Sequence, residues 1–216
     1  VAEEFARRGW SVVAASRNRR ELGAVVETIA GAGGRAHAFV ADVRESAQVE
    51  RLVAFAGKHL PALDAVFHTA GDWVFKPVEK TSLREWQATL DANLTSVFLL
   101  AKAAVPALKK SGGVFVPIIS IAGKKAFPNC GAYCASKFGL RGFVEVLREE
   151  LRPRVRVLGV YPGAVDTAFW NKAGKGWNRS RMMKPAELAV LLADAVERPG
   201  RGMVEDLTVM PVWGEL

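Results

Sequence analysis

Hydrophobic and polar positions along this chain follow two alternating periods. Short apolar runs rich in valine, bounded by turn residues, are separated by longer stretches with apolar positions three and four apart. The short runs predict strands at Trp10–Ser16, Arg35–Ala41, Asp64–His68, Val114–Ser120, Arg154–Tyr161 and Leu207–Met210. The helical spacing predicts helices over Arg19–Ala30, Ser46–His59, Leu83–Lys110, from after Pro128 to about Leu151, and over Pro185–Glu197. In Ser46–His59 the apolar stripe is Val49, Leu52, Val53 and Ala56, and Pro61 marks its break. Val1–Arg8 reads as the end of a further helix, with Val1 and Phe5 on one face. Two prolines fall inside predicted elements. Pro106 is expected to bend or reorganise the later part of its helix. Pro117 is unusual in a central strand, because it has no N–H for the ladder.

Strands that alternate with helices predict a doubly wound, mainly parallel α/β sheet with helices on both faces. A chain of 216 residues fits one such domain, spanning 1–216. Half of the residues are hydrophobic, enough for a sizeable core. The net charge of +8 raises nucleic acid or an anionic surface as partners. The basic residues are dispersed, however, and no nucleic-acid-binding motif is present, so small molecules are the expected partners. Cys130 and Cys134 lie four apart on a predicted helix, a poor geometry for a disulfide. With His37, His59 and His68 scattered, no metal-ligand spacing arises. The thiols fit reduced residues of a cytoplasmic protein. No apolar run is expected to reach transmembrane length, and no signal peptide is visible.

The chemistry concentrates in Ser120–Lys137, SIAGKKAFPNCGAYCASK. Ser120 falls at the carboxyl end of a predicted strand, where open α/β sheets bind ligands. Tyr133 and Lys137 are four apart on the next helix and share a face. A phenol has a pKa of about 10, and a neighbouring ammonium is expected to lower it. Such a tyrosine can exchange a proton with an alcohol or ketone oxygen. Taken alone, a Tyr-x-x-x-Lys pair is a weak signal and is usually a solvated helix face.

The segment S-x-A-G, Pro128 and A-Y-x-A-S-K resembles the active-site segment of the short-chain dehydrogenase/reductase family. That family usually has two adjacent serines; here they are Ile119 and Ser120, and Ser120 matches the functional one. Further stretches resemble the same family: Asn93-Leu94-Thr95-Ser96 its mid-helix Asn motif, and Pro162-Gly163-Ala164-Val165-Asp166-Thr167 its P-G-x-V-x-T segment. Asp42-Val43 resembles its adenine-contacting pair, although an Asp after a strand is as often a cap. His68-Thr69-Ala70-Gly71 stands where the family has N-N-A-G, so only Ala70 and Gly71 carry over, and His68 reads as structural.

The resemblance implies a Rossmann-like fold and hydride transfer between a nicotinamide and a carbonyl or secondary alcohol. Tyr133 would be the acid/base and Ser120 would orient the substrate oxygen. Lys137 would lower the tyrosine pKa and hold the ribose, and Asn93 would support a water relay. Cofactor contacts are implied for Ser16, Arg17, Asp42, Val43, Ala70, Gly71, Tyr133, Lys137, Pro162, Gly163, Val165 and Thr167. Neutral Ser16, followed by Arg17, Arg19 and Arg20, points to NADP(H) over NAD(H). The loop Ala168–Lys184 holds Trp170, Trp177 and five cations but no acid, which fits either an anionic substrate or a solvated loop. The family's long helices imply a homodimer or homotetramer. Its first strand and Gly-rich phosphate loop have no counterpart before Val1, and the chain is therefore expected to be truncated at the amino terminus. The alternative is a non-catalytic nucleotide- or partner-binding protein of the same fold.

Overall fold

A computed structural model describes residues 1–173, 176–198 and 202–214. The first half runs α1 (Ala2–Arg7), β1 (Ser11–Ser16), α2 (Arg19–Gly31), β2 (Arg35–Val40), α3 (Ser46–His59) and β3 (Ala65–His68). There follow α4 (Leu83–Leu90), α5 (Ser96–Ser111), β4 (Val114–Pro117), α6 (Gly131–Leu151), β5 (Arg156–Val157), β6 (Gly159–Pro162), α7 (Pro185–Val196) and β7 (Asp206–Val209). All strand pairs are parallel: β1 with β2, β3 with β4, β4 with β5, and β6 with β7. Val49, Leu100, Leu108, Leu140 and Val144, from α3, α5 and α6, cover one face of the sheet. Phe5, Leu188 and Leu192, from α1 and α7, cover the other. This is the doubly wound, Rossmann-like arrangement that the alternation predicts.

Two predicted strands are shorter or broken. Val114–Ser120 ends as a strand at Pro117, and Arg154–Tyr161 is divided at Leu158. Pro117 lacks the N–H that a continuous ladder requires, and the neighbouring strand is interrupted at this level. The ladder resumes where Ile118 N–H donates to His68 O (3.0 Å) and Ile119 N–H to Val160 O (2.7 Å).

The long helix departs from its expected form. Pro106 sits within a continuous α5, and the disturbance comes earlier, as a π-turn at Asp91–Thr95 centred on Asn93. Single π-turns often mark functional positions. The helical run Leu83–Ser111 is, against expectation, long and apolar enough to cross a membrane by length and composition. Its Val97, Ala101, Ala104 and Leu108 are instead buried in the core.

A cleft separates β1 from β3, which do not pair with each other. It has a volume of about 600 Å³ and is walled by Ser11–Ser16 on one side and Ala65–His68 on the other. Leu22, Val25, Leu52 and Leu100 line it with apolar side chains. At the carboxyl ends of the strands its walls are Ser16, Arg17, Asp42, Val43, Ala70 and Gly71.

Candidate functional site

Ser120 follows β4 with φ of 132°, a backbone conformation that side-chain-bearing residues rarely adopt. Strain of this kind persists only where the surroundings impose it, and it clusters at functional sites. The Ser120 hydroxyl accepts from the Ala122 N–H at 3.1 Å and also hydrogen-bonds Tyr133. Gly123 permits the approach of α6. A Cβ there would lie 2.7 Å from Ile119 Cγ2 and 2.9 Å from Lys137 O. The turn after Ser120 thus packs against the backbone of α6 at Lys137, and Ser120, Tyr133 and Lys137 come together as the sequence predicts.

Burial governs the titration of this group. Lys137 is buried, its Nζ donates to Ile118 O at 3.0 Å, and it lies 5.7 Å from the centre of the Tyr133 ring. Desolvation lowers the Lys137 pKa to about 7. Desolvation raises Tyr133 to about 12, against a smaller opposing effect of the Ser120 hydrogen bond. The expected lowering of the tyrosine by its lysine is therefore not found. Burial outweighs the charge of an amine that is itself half neutralised near pH 7.

Asn93 is fully buried at the centre of the π-turn. Its Nδ2 donates to Asp72 O (2.7 Å) and Ser136 Oγ (3.0 Å), and its Oδ1 accepts from Asp72 N–H (2.9 Å). Ser136 Oγ in turn donates to Tyr133 O at 2.7 Å. Asn93 therefore ties the loop after β3 to α6. At Gly71 a Cβ would lie 2.9 Å from Asn93 Oδ1, so the loop can pass this close only as glycine. Sequence reasoning missed Asp72 and Ser136. The 133–136–137 spacing, which places all three near one helix face, was the available signal for Ser136.

His68 packs inside the fold, and its imidazole is titratable. It is buried, and its Nε2 lies 2.8 Å from Ser96 Oγ, which itself donates to Ala92 O. Burial first, and the Lys137 charge second, lower its pKa to about 4. An unfolded histidine takes up its proton near pH 6.5 and the folded one only near 4. The unfolded state therefore gains protons as pH falls through this window, and stability is lost. The loss from this group approaches roughly 3 kcal/mol by pH 4. Thermal melts of wild type and His68→Gln between pH 7 and 4 should diverge by that order, with the wild type the more acid-sensitive. Parallel curves would mean that His68 is free to protonate in the fold.

The cofactor residues implied by the resemblance divide into two sets. Ser16, Arg17, Asp42, Val43, Ala70 and Gly71 converge on the mouth of the cleft. Arg17 is largely exposed and 4.0 Å from Asp42, whose carboxylate is held at a pKa of about 2 by its hydrogen bonds with Arg44. Helix α2 starts with Asn18 as its cap, accepting from Arg20 N–H and Glu21 N–H, so local chemistry alone accounts for that helix start. Pro162, Gly163, Val165 and Thr167 leave β6 on the other side of β4. Gly163 is required by packing, since a Cβ would lie 2.9 Å from both Met210 Sδ and Pro211 Cδ. This contact explains the glycine without ligand approach. Val165 bridges to Met183, and Thr167 O accepts from Arg179 at 3.1 Å.

The cations of the 168–184 loop are largely committed within the protein. Lys172 pairs with Asp72 and Arg179 with Asp166, both at 2.5 Å, and Arg181 lies over the Trp213 ring. Lys175 falls outside the described residues. What the loop brings to Tyr133 is aromatic. Phe169 stands 5.8 Å from the Tyr133 ring and 5.0 Å from Trp73, nearly parallel to the indole at 14°. Trp73 Nε1 donates to Phe169 O at 3.2 Å.

The chain matches the family model "short chain dehydrogenase" over residues 1–177. It is 30% identical to a sepiapterin reductase of Chlorobaculum tepidum, with all of this chain and 92% of that protein covered. It is 34% identical to a trans-4-hydroxycyclohexanecarboxylate dehydrogenase of Sinomonas cyclohexanicum, covering 86% of this chain and 74% of that one. Among solved structures, an alcohol dehydrogenase of the archaeon Thermococcus sibiricus complexed with 5-hydroxy-NADP superimposes with a TM-score of 0.92 at 26% identity. That match covers 100% of this chain and 92% of the other. A 7α-hydroxysteroid dehydrogenase complexed with NADH and 7-oxo glycochenodeoxycholic acid gives 0.92 at 25%, over 99% and 88% of the two chains.

Proposed function

This chain belongs to the short-chain dehydrogenase family, and on that premise we propose that it reduces a carbonyl to an alcohol with Tyr133 as the proton donor. The observation that carries the reading is the convergence of Ser120, Tyr133 and Lys137 at the end of β4, with Asn93 behind them. A phenol with a pKa near 12 is fully protonated at neutral pH, which suits donation to a developing alkoxide more than abstraction from an alcohol. Ser120 orients the same oxygen. Lys137, poised near pH 7, can re-supply a proton to the phenol. Positioned acid–base chemistry of this kind contributes about 10²–10⁴-fold.

The cleft mouth suits a nucleotide. There Ser16, Arg17, Ala70 and Gly71 supply a hydroxyl, a guanidinium and open backbone. A bound nicotinamide dinucleotide would supply the hydride. Ser16 is neutral and Arg17 free to reorient, so NADP(H) is favoured over NAD(H), with Arg17 on the 2′-phosphate. Arg17→Ala should lower kcat/KM with NADPH about tenfold, the lower end of the range for a charged hydrogen bond because the side chain is exposed, and leave NADH little changed. Equal losses with both cofactors would remove Arg17 from that role. Exposed Phe98 on α5 and Phe138 and Val146 on α6 support assembly through these helices as a homodimer or homotetramer. Assaying NADPH oxidation with a panel of aldehydes and ketones tests the whole reading; absence of turnover with every carbonyl while NADPH binds would favour a non-catalytic nucleotide-binding role.

A further inference from the structure

We propose that the substrate is an uncharged carbonyl compound, or the matching alcohol, whose reacting carbon sits on or beside a flat ring. The inference rests on Tyr133 being the group that meets the reacting oxygen. Around the Tyr133 ring stand Trp73, 6.0 Å away and edge-on, and Phe169 at 5.8 Å. Ala122, Cys130 and Cys134, all buried, belong to the same apolar cluster, with Phe127 and Trp170 packed against it. A molecule that reaches the Tyr133 and Ser120 hydroxyls must therefore lie along aromatic faces. Flat rings gain from such faces beyond the area they bury, by about two- to tenfold in affinity per pair.

The two main walls differ in how they are held. Trp73 is fixed: its N–H donates to Asp72 Oδ1 at 2.8 Å, and the Asp72 backbone is clamped from both sides by Asn93. Phe169 rides on a loop whose ties include the exposed Lys172–Asp72 pair, the Trp73 Nε1 contact, Trp170 Nε1 donating to Val165 O at 2.9 Å and Arg179 donating to Asn171 Oδ1 at 3.0 Å. The near-parallel Trp73–Phe169 stack is a closed slot, and a substrate ring enters between the two, with Phe169 moving outward to cover its far face. The charge pattern favours a neutral ligand over an anion. Lys172 and Arg179 are already paired with Asp72 and Asp166. A carboxylate among the rings would lose its hydration without gaining a partner. Of the two readings of this loop's cations, an anionic substrate or a solvated loop, these pairings favour the second.

Ligand-observed NMR titrations of the protein with acetophenone, 4-acetylbenzoate and 2-butanone test the proposal. Acetophenone should bind about tenfold more tightly than either of the others. Phe169→Leu, on a half-buried loop position, should cost acetophenone about two- to tenfold and leave 2-butanone unchanged; Trp73→Leu should do the same where it folds. Equal or tighter binding of 4-acetylbenzoate, no change in ring preference in Phe169→Leu, or no binding of any of the three would overturn it. Reduction of the same ketones by NADPH is scored separately. Ring-selective binding without turnover strikes the oxidoreductase reading and leaves this one, and turnover without ring preference does the reverse.

Discussion

Tyr133→Phe is expected to lower kcat by about 10²–10⁴-fold, the contribution of a positioned proton donor. The substitution removes one oxygen and keeps the ring that packs against Trp73 and Phe169. Its cost to folding is that of one hydrogen bond with Ser120, about 0.5–1.5 kcal/mol. Cofactor affinity should therefore survive while turnover is lost. Steady-state kinetics together with a cofactor titration separate the two. A variant that retains more than about a tenth of wild-type kcat would show that the proton comes from another group.

Asn93→Leu should be the most destabilising single change at the site, by about 2–5 kcal/mol. Leucine fills a comparable volume but offers no polar atom to the Asp72 N–H and C=O, both of which Asn93 now satisfies. Each buried group left unpaired costs about 1–3 kcal/mol. Ser136 Oγ loses its donor as well. The Ala70–Asp72 loop, released from the π-turn, would no longer be held against α6, so turnover should fall in the folded fraction too. Urea denaturation reads the first effect and kcat the second. A stability loss below 1 kcal/mol would mean that water or a rearranged loop replaces the carboxamide, and that the clamp is dispensable.

Much of this protein was legible in its residues. Short apolar runs between amphipathic stretches dictate the parallel α/β layering, because strands covered by helices on both faces are apolar throughout and each helix must bury its own apolar stripe. The Tyr133–Lys137 pair was readable because helical spacing alone places the two on one face. The buried role of Asn93 was readable because a polar residue interrupts an apolar helix there. Such features depend on neighbours in the chain. Others depend on what folding brings near. The break in the long helix lies at Asn93 rather than Pro106, since the carboxamide's tertiary partners at Asp72 and Ser136 decide where the helix yields. The Tyr133 pKa rises instead of falling, because desolvation is set by Trp73 and Phe169, remote in sequence. Two of the loop cations have partners that only folding supplies, Asp72 for Lys172 and Asp166 for Arg179. Local spacing determined which groups could do chemistry; the packed environment alone determined their charge, their partners and the surface that a substrate meets.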